Sequence, residues 1–207
     1  VRRPSGASDE VMWDPTGGTV DVAGLAGVDA VVHLAGAGIG DHRWTDAYRR
    51  TILRSRTEPT DLLARTLATM DDGPRVLLQA SAVGYYGDRG AEVLTEASTP
   101  GTGFLVDVVQ AWEHATVPAQ EAGVRVAHLR TGILMSRTGG SFGTLLPLLR
   151  LGVGGPLGDG RNIWSWITLV DQVRAIEHLL TAEVHGPVNL TAPAPAAQGE
   201  IVRAVAH

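Results

Sequence analysis

Short apolar runs, polar turns and longer stretches with helical spacing alternate along the chain. Residues 10–14 (EVMWD) read as a short strand closed by Asp14-Pro15. Residues 29–34 (DAVVHL) form a β-branched run that ends in Ala35, Gly36, Ala37 and Gly38. Residues 44–70 have helical character, with apolar positions at Ile52, Leu62, Leu63 and Leu67. A strand over 76–80 ends at Ser81. Residues 104–122 read as one helix, since Leu105, Val108, Val109 and Trp112 recur at spacings of three and four. Gly123 ends it, as glycine does past a helix terminus. A strand over 124–129 leads into Arg130, Thr131 and Gly132. A helix over 171–180 follows, with Thr168 as N-cap and Asp171 as its partner. Residues 188–190 make a last short strand.

Strands that alternate with helices imply βαβ units and a parallel sheet. Several of these strands are apolar throughout, as a sheet covered on both faces requires. The fold class is therefore α/β, a doubly wound parallel sheet of Rossmann type. In such sheets ligands sit beyond the carboxyl ends of the strands. Two segments rich in Gly and Pro, 138–143 and 152–160, break the pattern, and 192–197 (APAPAA) reads as a linker or loop.

Composition narrows the function classes. The chain has 207 residues, 44% hydrophobic and 19% charged, which suits one core. A net charge of -5 argues against binding nucleic acid or membranes through bulk charge. No apolar run is long enough to span a bilayer, and no signal peptide is visible, so a cytoplasmic location is expected. There are no cysteines, which excludes disulfides and thiolate chemistry. The seven histidines show no metal-ligand spacing, so no metal is expected. His33 reads as a strand residue near a cofactor or in the core, and His114 and His178 as helix-surface residues. Ser81 is not flanked by a G-x-S-x-G elbow, which disfavours a hydrolase.

The strand exits carry the candidate chemistry. At 35–40 (AGAGIG) small residues let a flat cofactor approach the backbone, although a tight turn would use the same residues. No glycine fingerprint for a pyrophosphate occurs between a first strand and a first helix, so that element is expected upstream of Val1. Arg2 and Arg3 then fall at the exit of a second strand, where arginine accommodates a 2′-phosphate; NADP(H) is favoured over NAD(H). Asp14, at a third strand exit, is a candidate acceptor for the adenine amino group. The richest exit is 80–90 (ASAVGYYGDRG), which brings Ser81, Tyr85 and Tyr86 to the place where a substrate carbonyl or alcohol would lie. Trp164 and Trp166, on either side of Ser165, serve either as core or as a pocket wall.

In this order, the segments VVHLAGAGIGDHRW, SASAVGYYGDRG, FLVDVVQAWE, LRTGILMS, GGPLGDGRNIWSWI and GPVNLTAP resemble the extended short-chain dehydrogenase/reductases. They are most similar to the atypical branch named epimerase family proteins. The resemblance implies one NAD(P)-binding domain over 1–207 that lacks its first βα unit, with a small C-terminal substrate lobe inserted around 139–162. It implies that Leu34, Ala35, Gly36 and Ala37 lie against the cofactor, that Ser81 orients substrate, and that Arg130, Thr131 and Gly132 lie near the nicotinamide. It also implies a further C-terminal segment.

One departure bears on mechanism. The family's active-site pair is Tyr-x-x-x-Lys on the helix after the serine strand, but here Phe104 and Val108 stand at those positions. All 17 basic residues are arginines. Two outcomes follow. Tyr85 or Tyr86 supplies the hydroxyl to an oxidoreductase or epimerase acting on a nucleotide-sugar-like or other small carbonyl or alcohol substrate. Alternatively, the protein is a non-catalytic NADP(H)-binding sensor or regulatory protein. The chain is expected to be a monomer or homodimer, with the helices bearing Ile52 to Leu67 and Phe104 to Trp112 available as a dimer face.

Overall fold

The computed structural model describes residues 10–137, 139, 142, 143, 146, 147, 149, 155 and 158–206. Arg2, Arg3 and much of the expected lobe insertion lie outside the described residues.

Four parallel strands form the main sheet in the order β3 (Ala30–His33), β4 (Val76–Ala82), β5 (Arg125–Thr131) and β9 (Gly186–Leu190). Register runs straight across it. His33 pairs with Gln79 and Gln79 with His128; Ser81 pairs with Arg130 and Arg130 with Asn189. Alternate residues of each strand face opposite sides of the sheet. On one side Leu77 and Val126 pack with Leu63, Ala64 and Leu67 of α1 (Asp46–Ala68) and Ala119 of α3 (Val117–Glu121). On the other, Leu78, Ala127, Leu129 and Leu190 pack with Leu179 of α4 (Leu169–Thr181). Both faces are covered, which explains why Leu77 and Leu78 of β4, and Val126 and Ala127 of β5, are apolar in succession.

Local chemistry sets the helix ends. Thr45 accepts from Tyr48 N at 3.2 Å and starts α1. Thr168 accepts from Asp171 N and donates to the Asp171 carboxylate, so the expected cap is present, although α4 begins at Leu169. Gly123, at φ +82°, closes α3.

Four elements differ from the sequence expectation. The helix expected over 104–122 is two helices, α2 (Phe104–His114) and α3, because Pro118 has no N–H to give the turn before it. The strand expected over 10–14 shrinks to β1 (Trp13–Asp14), which pairs antiparallel with β2 (Thr19–Val20) and not with the main sheet. The Pro15-Thr16-Gly17-Gly18 turn doubles the chain back, helped by Thr16 N donating to Asp14 Oδ1 at 3.0 Å and by Gly18 at φ +68°. The 192–197 stretch is not wholly irregular: β10 (Ala196–Ala197) pairs with β7 (Ile163–Trp164) and leads into α5 (Gln198–Ala206). Finally, Ile52, Leu63, Leu67, Val106, Val108, Val109 and Trp112 are all buried, so the apolar stripes of α1 and α2 face the core and not a dimer partner.

A smaller cluster forms the C-terminal lobe. Phe142, Leu146 and Ile201 pack with Met135, Trp164 and Trp166. The parallel pair β6 (Ile133–Met135) and β8 (Trp166–Thr168) joins this lobe to the main sheet.

Candidate functional site

The sheet face beneath α1 and α2 changes character along its strands. Leu77 and Val126 are apolar. Two residues on, Gln79 and His128 are buried and polar; two further on stand Ser81 and Arg130. Most of the buried polar groups of the middle row are partnered, His33 Nε2 being the exception. Gln79 Oε1 lies 2.9 Å from His33 Nδ1, and Thr60 Oγ1 lies 3.3 Å from the same nitrogen. Trp112 Nε1 donates to Thr60 Oγ1 at 3.1 Å, and Thr116 Oγ1 lies 2.9 Å from His128 Nε2. Burial pushes both histidines below the ordinary imidazole range. At His33 the bond to Gln79 offsets part of this; at His128 the nearby Glu113 does.

The last row carries the charges. Arg130 donates to Glu113 through Nε at 2.8 Å and through Nη2 at 2.8 Å, a bidentate pair with side chains only 4% and 12% exposed. Ser81 Oγ donates to Glu113 Oε1 at 2.6 Å. Burial works to raise the Glu113 pKa, but the bonds from Arg130 and Ser81 outweigh it and hold the group below the ordinary carboxylate range. Burial likewise opposes the Arg130 charge, and the bonds to Glu113 and Tyr86 more than reverse that. Glu113 is therefore a carboxylate, an acceptor only, and the Ser81 hydrogen is committed to it.

Two tyrosines flank this pair differently. Tyr86 is buried; its hydroxyl accepts from Arg130 Nη1 at 3.1 Å and donates to Asn189 Oδ1 at 2.6 Å. Tyr85 is half-buried, with its ring 3.5 Å from the Arg130 guanidinium carbon. It borders a cavity of about 310 Å³ with Gln110, Glu113, His114, Gln120 and His128. The 84–87 turn approaches Gly101 closely: a β-carbon at Gly101 would lie 2.3 Å from the Tyr86 carbonyl oxygen. Glu96 accepts from Asn189 N at 2.8 Å and ties the following loop to β9.

The structure thus brings Ser81, Tyr85, Tyr86 and Arg130 together. Ser81, Arg130 and Thr131 are strand residues, not loop residues, because β4 and β5 run further than expected. Thr131 accepts from Gln172 Nε2 at 3.1 Å. Gly132 allows a chain crossing: a β-carbon there would lie 2.4 Å from the Ser165 carbonyl oxygen. Leu34, Ala35 and Gly36 are exposed at the neighbouring exit of β3, and Ala37 is half-buried with its N–H on Ser55 Oγ at 3.1 Å. Asp14 sits in the β1–β2 hairpin, with its carboxylate engaged in its own turn. Val108 is buried against the core, and Phe104 packs edge-on to Trp44 at 5.6 Å. Trp166 packs on the cluster of Phe142, Leu146 and Ile201 and borders an apolar cleft of about 320 Å³. His114 and His178 are exposed on their helices, and no cluster of potential metal ligands occurs among the described residues. Nor is any helix among them long and apolar enough to cross a membrane.

Glu113, Asn189 and Glu96 were not expected. For Glu113 there was a signal: an arginine in a strand covered on both faces needs a counter-charge, and α2 carries few carboxylates.

Known proteins share this arrangement of elements. The model of the NAD dependent epimerase/dehydratase family matches residues 19–191. An epimerase family protein of Mycobacterium bovis is 43% identical over 205 residues, covering 99% of this chain and 67% of its own length. One from Staphylococcus aureus is 38% identical over 173 residues, covering 83% of this chain and 57% of its own length. Among solved structures, a nucleoside-diphosphate sugar epimerase from Corynebacterium glutamicum superposes with a TM-score of 0.86 at 37% identity, over 99% of this chain but 42% of its own. A human epimerase family protein crystallised with NADPH gives 0.80 at 32% identity, over 86% of this chain and 62% of its own. With its helix-covered parallel sheet and a match over most of its length, the chain belongs to the NAD dependent epimerase/dehydratase family and has its Rossmann-like fold.

Proposed function

We propose that this protein is an NADP(H)-binding oxidoreductase or epimerase-like enzyme whose substrate is a nucleotide-sugar-like or other small carbonyl or alcohol compound. The observation that carries this reading is the polar row at the carboxyl edge of the sheet. There Ser81 stands against a charge-fixed Glu113–Arg130 pair, with Tyr85 at the border of a cavity. The dinucleotide would accept or deliver a hydride when bound. Leu34, Ala35 and Gly36 are exposed there, and with Ala37 they suit it, because the small side chains of 35–37 leave the backbone open at a strand exit. Arg130, Thr131 and Gly132 close the nicotinamide side. Arg2, Arg3 and Asp14 are assigned to the adenosine half, and the two arginines favour NADP(H) over NAD(H). The NADPH in the human relative agrees with that preference.

The residues divide the work by their bonding. Ser81 gives its hydrogen to Glu113, so it meets a substrate with its lone pairs and orients a hydroxyl group by accepting from it. Tyr85, beside the Arg130 guanidinium, is the proton donor. The Tyr86 hydroxyl is engaged by Arg130 and Asn189 and holds the pair in place. The protein works in the cytoplasm as a monomer or homodimer, without nucleic acid, membrane or metal.

A second reading is favoured by one observation: Phe104 and Val108 occupy the proton-relay positions, and Val108 faces the core. On that reading the protein binds NADP(H) as a sensor or regulatory partner without turning it over.

NADPH and NADH binding, followed by nucleotide fluorescence, tests both readings; failure to bind either cofactor refutes both. If binding holds, a panel of nucleotide sugars and small carbonyl compounds is screened for turnover. Ser81→Ala and Tyr85→Phe are expected to lower it at least about tenfold, in line with the usual contribution of a positioned acid–base group. Tyr86→Phe strands the buried Arg130 Nη1 and the half-buried Asn189 Oδ1 and is expected to act on stability, by about 1–3 kcal/mol. Turnover untouched by Ser81→Ala and Tyr85→Phe refutes the assignment.

A further inference from the structure

A buried histidine lines the cavity beside Tyr85, and the chemistry above leaves it unused. His128 stands in the middle of β5 and is 7% exposed. Its Nε2 lies 2.9 Å from Thr116 Oγ1. The Thr116 hydroxyl has one hydrogen, and the Glu113 carbonyl oxygen, 2.7 Å away, can only accept it. Gln120 Nε2 donates to the same hydroxyl oxygen at 3.2 Å. Thr116 therefore has only a lone pair for the ring, and His128 donates to it through Nε2. A neutral imidazole carries one hydrogen, so Nδ1 is a bare lone pair.

This lone pair is open to the cavity. Among the described residues no hydrogen bond reaches Nδ1. His33 Nε2 is also without a partner, but it is sealed in the core, whereas Nδ1 of His128 is not. His128 borders the space of about 310 Å³ that Tyr85, Glu113 and His114 also line. The charges facing the ring are Glu113 and Arg130. Burial lowers the His128 pKa, Glu113 raises it and Arg130 lowers it again, so the ring is neutral at pH 7.

An alcohol oxidised in this cavity loses a proton, and the groups assigned so far do not keep one. Ser81 has its own hydrogen on Glu113, Arg130 holds Glu113 as a carboxylate, and Tyr85 is a donor. We propose that His128 is a catalytic residue, the base that takes the proton of a substrate alcohol on Nδ1. This rests on the enzyme reading above and adds to it a residue outside both the Ser81–Tyr85 set and the Tyr-x-x-x-Lys pair. The O–H bond breaks and its proton passes to Nδ1. Its electron pair becomes the second bond of the carbonyl, and the hydride on the same carbon goes to NADP+. Thr116 keeps the Nε2 hydrogen throughout, and the Glu113 carboxylate faces the imidazolium that forms. Tyr85 and His128 thus divide the two proton transfers, Tyr85 to a carbonyl and His128 from an alcohol, with solvent restoring each between turnovers.

Two measurements test this. Long-range 15N–1H spectra of the wild type at pH 7.5 read the tautomer of His128 without cofactor or substrate. A protonated Nε2 and an unprotonated Nδ1 are expected; a protonated Nδ1 overturns this inference and leaves the enzyme reading standing. Oxidation of nucleotide sugars and small secondary alcohols by NADP+ is then followed through NADPH fluorescence. For the compound oxidised fastest, wild-type kcat is expected to fall about tenfold per pH unit below the His128 pKa, which lies under 6.5, because the protonated ring cannot accept. His128→Gln keeps an N–H toward Thr116; it is expected to lose at least about 100-fold in kcat at pH 7.5, with little change in KM, and to lose the acid limb. His178→Gln, exposed on α4, is expected to stay within about twofold of wild type. Should His128→Gln fail to fold, the tautomer and the wild-type acid limb decide. A wild-type kcat that does not fall with pH, or a kcat in His128→Gln within about threefold of wild type, overturns this inference alone. No oxidation of any compound by the wild type overturns both.

Discussion

Glu113→Gln should be the most destabilising single change at the site, although it alters only one atom. The substitution keeps an oxygen to accept from Ser81 but removes the charge opposite Arg130. The Arg130 side chain is 4% exposed, and a guanidinium cannot shed its proton to relieve the mismatch. Breaking such a buried pair costs about 3–5 kcal/mol. For a chain of this size that corresponds to a fall in Tm of roughly 6–20 °C. Arg130→Met leaves the opposite problem, a buried carboxylate, but Glu113 can take up a proton. Its pKa is lowered mainly by the partners that outweigh burial, Arg130 first among them, so removing Arg130 lets burial raise it. The cost of Arg130→Met should therefore shrink as pH falls from 7 toward 5, while that of Glu113→Gln should not.

The double variant decides the matter. With both charges gone, what remains is the unpaired Tyr86 lone pair and some lost packing, about 1–3 kcal/mol. Glu113→Gln with Arg130→Met should thus be more stable than either single variant. Urea unfolding at pH 7.5, followed through the five tryptophans, measures all three free energies. A double variant whose loss equals the sum of the single losses to within about 0.5 kcal/mol would refute the charge pairing.

Two other changes follow from the same geometry. His33 and His128 are held below the ordinary value of 6.5 by burial, so the unfolded chain binds more protons once pH drops below that value. Stability should be flat from pH 8 to 7, fall below about 6.5, and fall again below about 4.5 as Glu113 is protonated; a Tm that rises between pH 7 and 5 contradicts this. Gly132→Ala places a β-carbon 2.4 Å from the Ser165 oxygen, which the Ile133 N–H holds at 2.7 Å. It should destabilise by about 2 kcal/mol or more, whereas Gly40→Ala, with nothing within 4 Å, should stay within about 0.5 kcal/mol on thermal unfolding.

How much of this was legible depended on whether the information was local. Thr168 and Asp171 declared their cap by spacing alone, and Gly123 declared its terminus. The break in the helix expected over 104–122 was not read, and Pro118 alone did not declare it, since Pro59 lies inside α1 without ending it. The fate of residues 10–14 was not, since a two-residue hairpin and a sheet strand present the same apolar run. What distinguishes the Tyr86 hydroxyl from that of Tyr85 is Asn189, more than a hundred residues away, which accepts from it. No local pattern holds that contact. A single acceptor on β9 separates the two rings.

The two central strands did carry the direction of the site in their own sequences. Every second residue reads Leu77, Gln79, Ser81 in β4 and Val126, His128, Arg130 in β5. The intervening Leu78, Ala127 and Leu129 stay apolar. One face is thus apolar along its length, while the other turns polar and then charged toward the carboxyl edge. A buried polar residue must find a partner, so this gradient requires the covering helices to change in step. They do: Leu63 and Leu67 lie over the apolar end, Thr60, Trp112 and Thr116 over the middle row, and Glu113 over Ser81 and Arg130. Helix α2 therefore reaches the charged edge of the sheet through Glu113. It supplies the carboxylate that sets the direction of the Ser81 hydrogen.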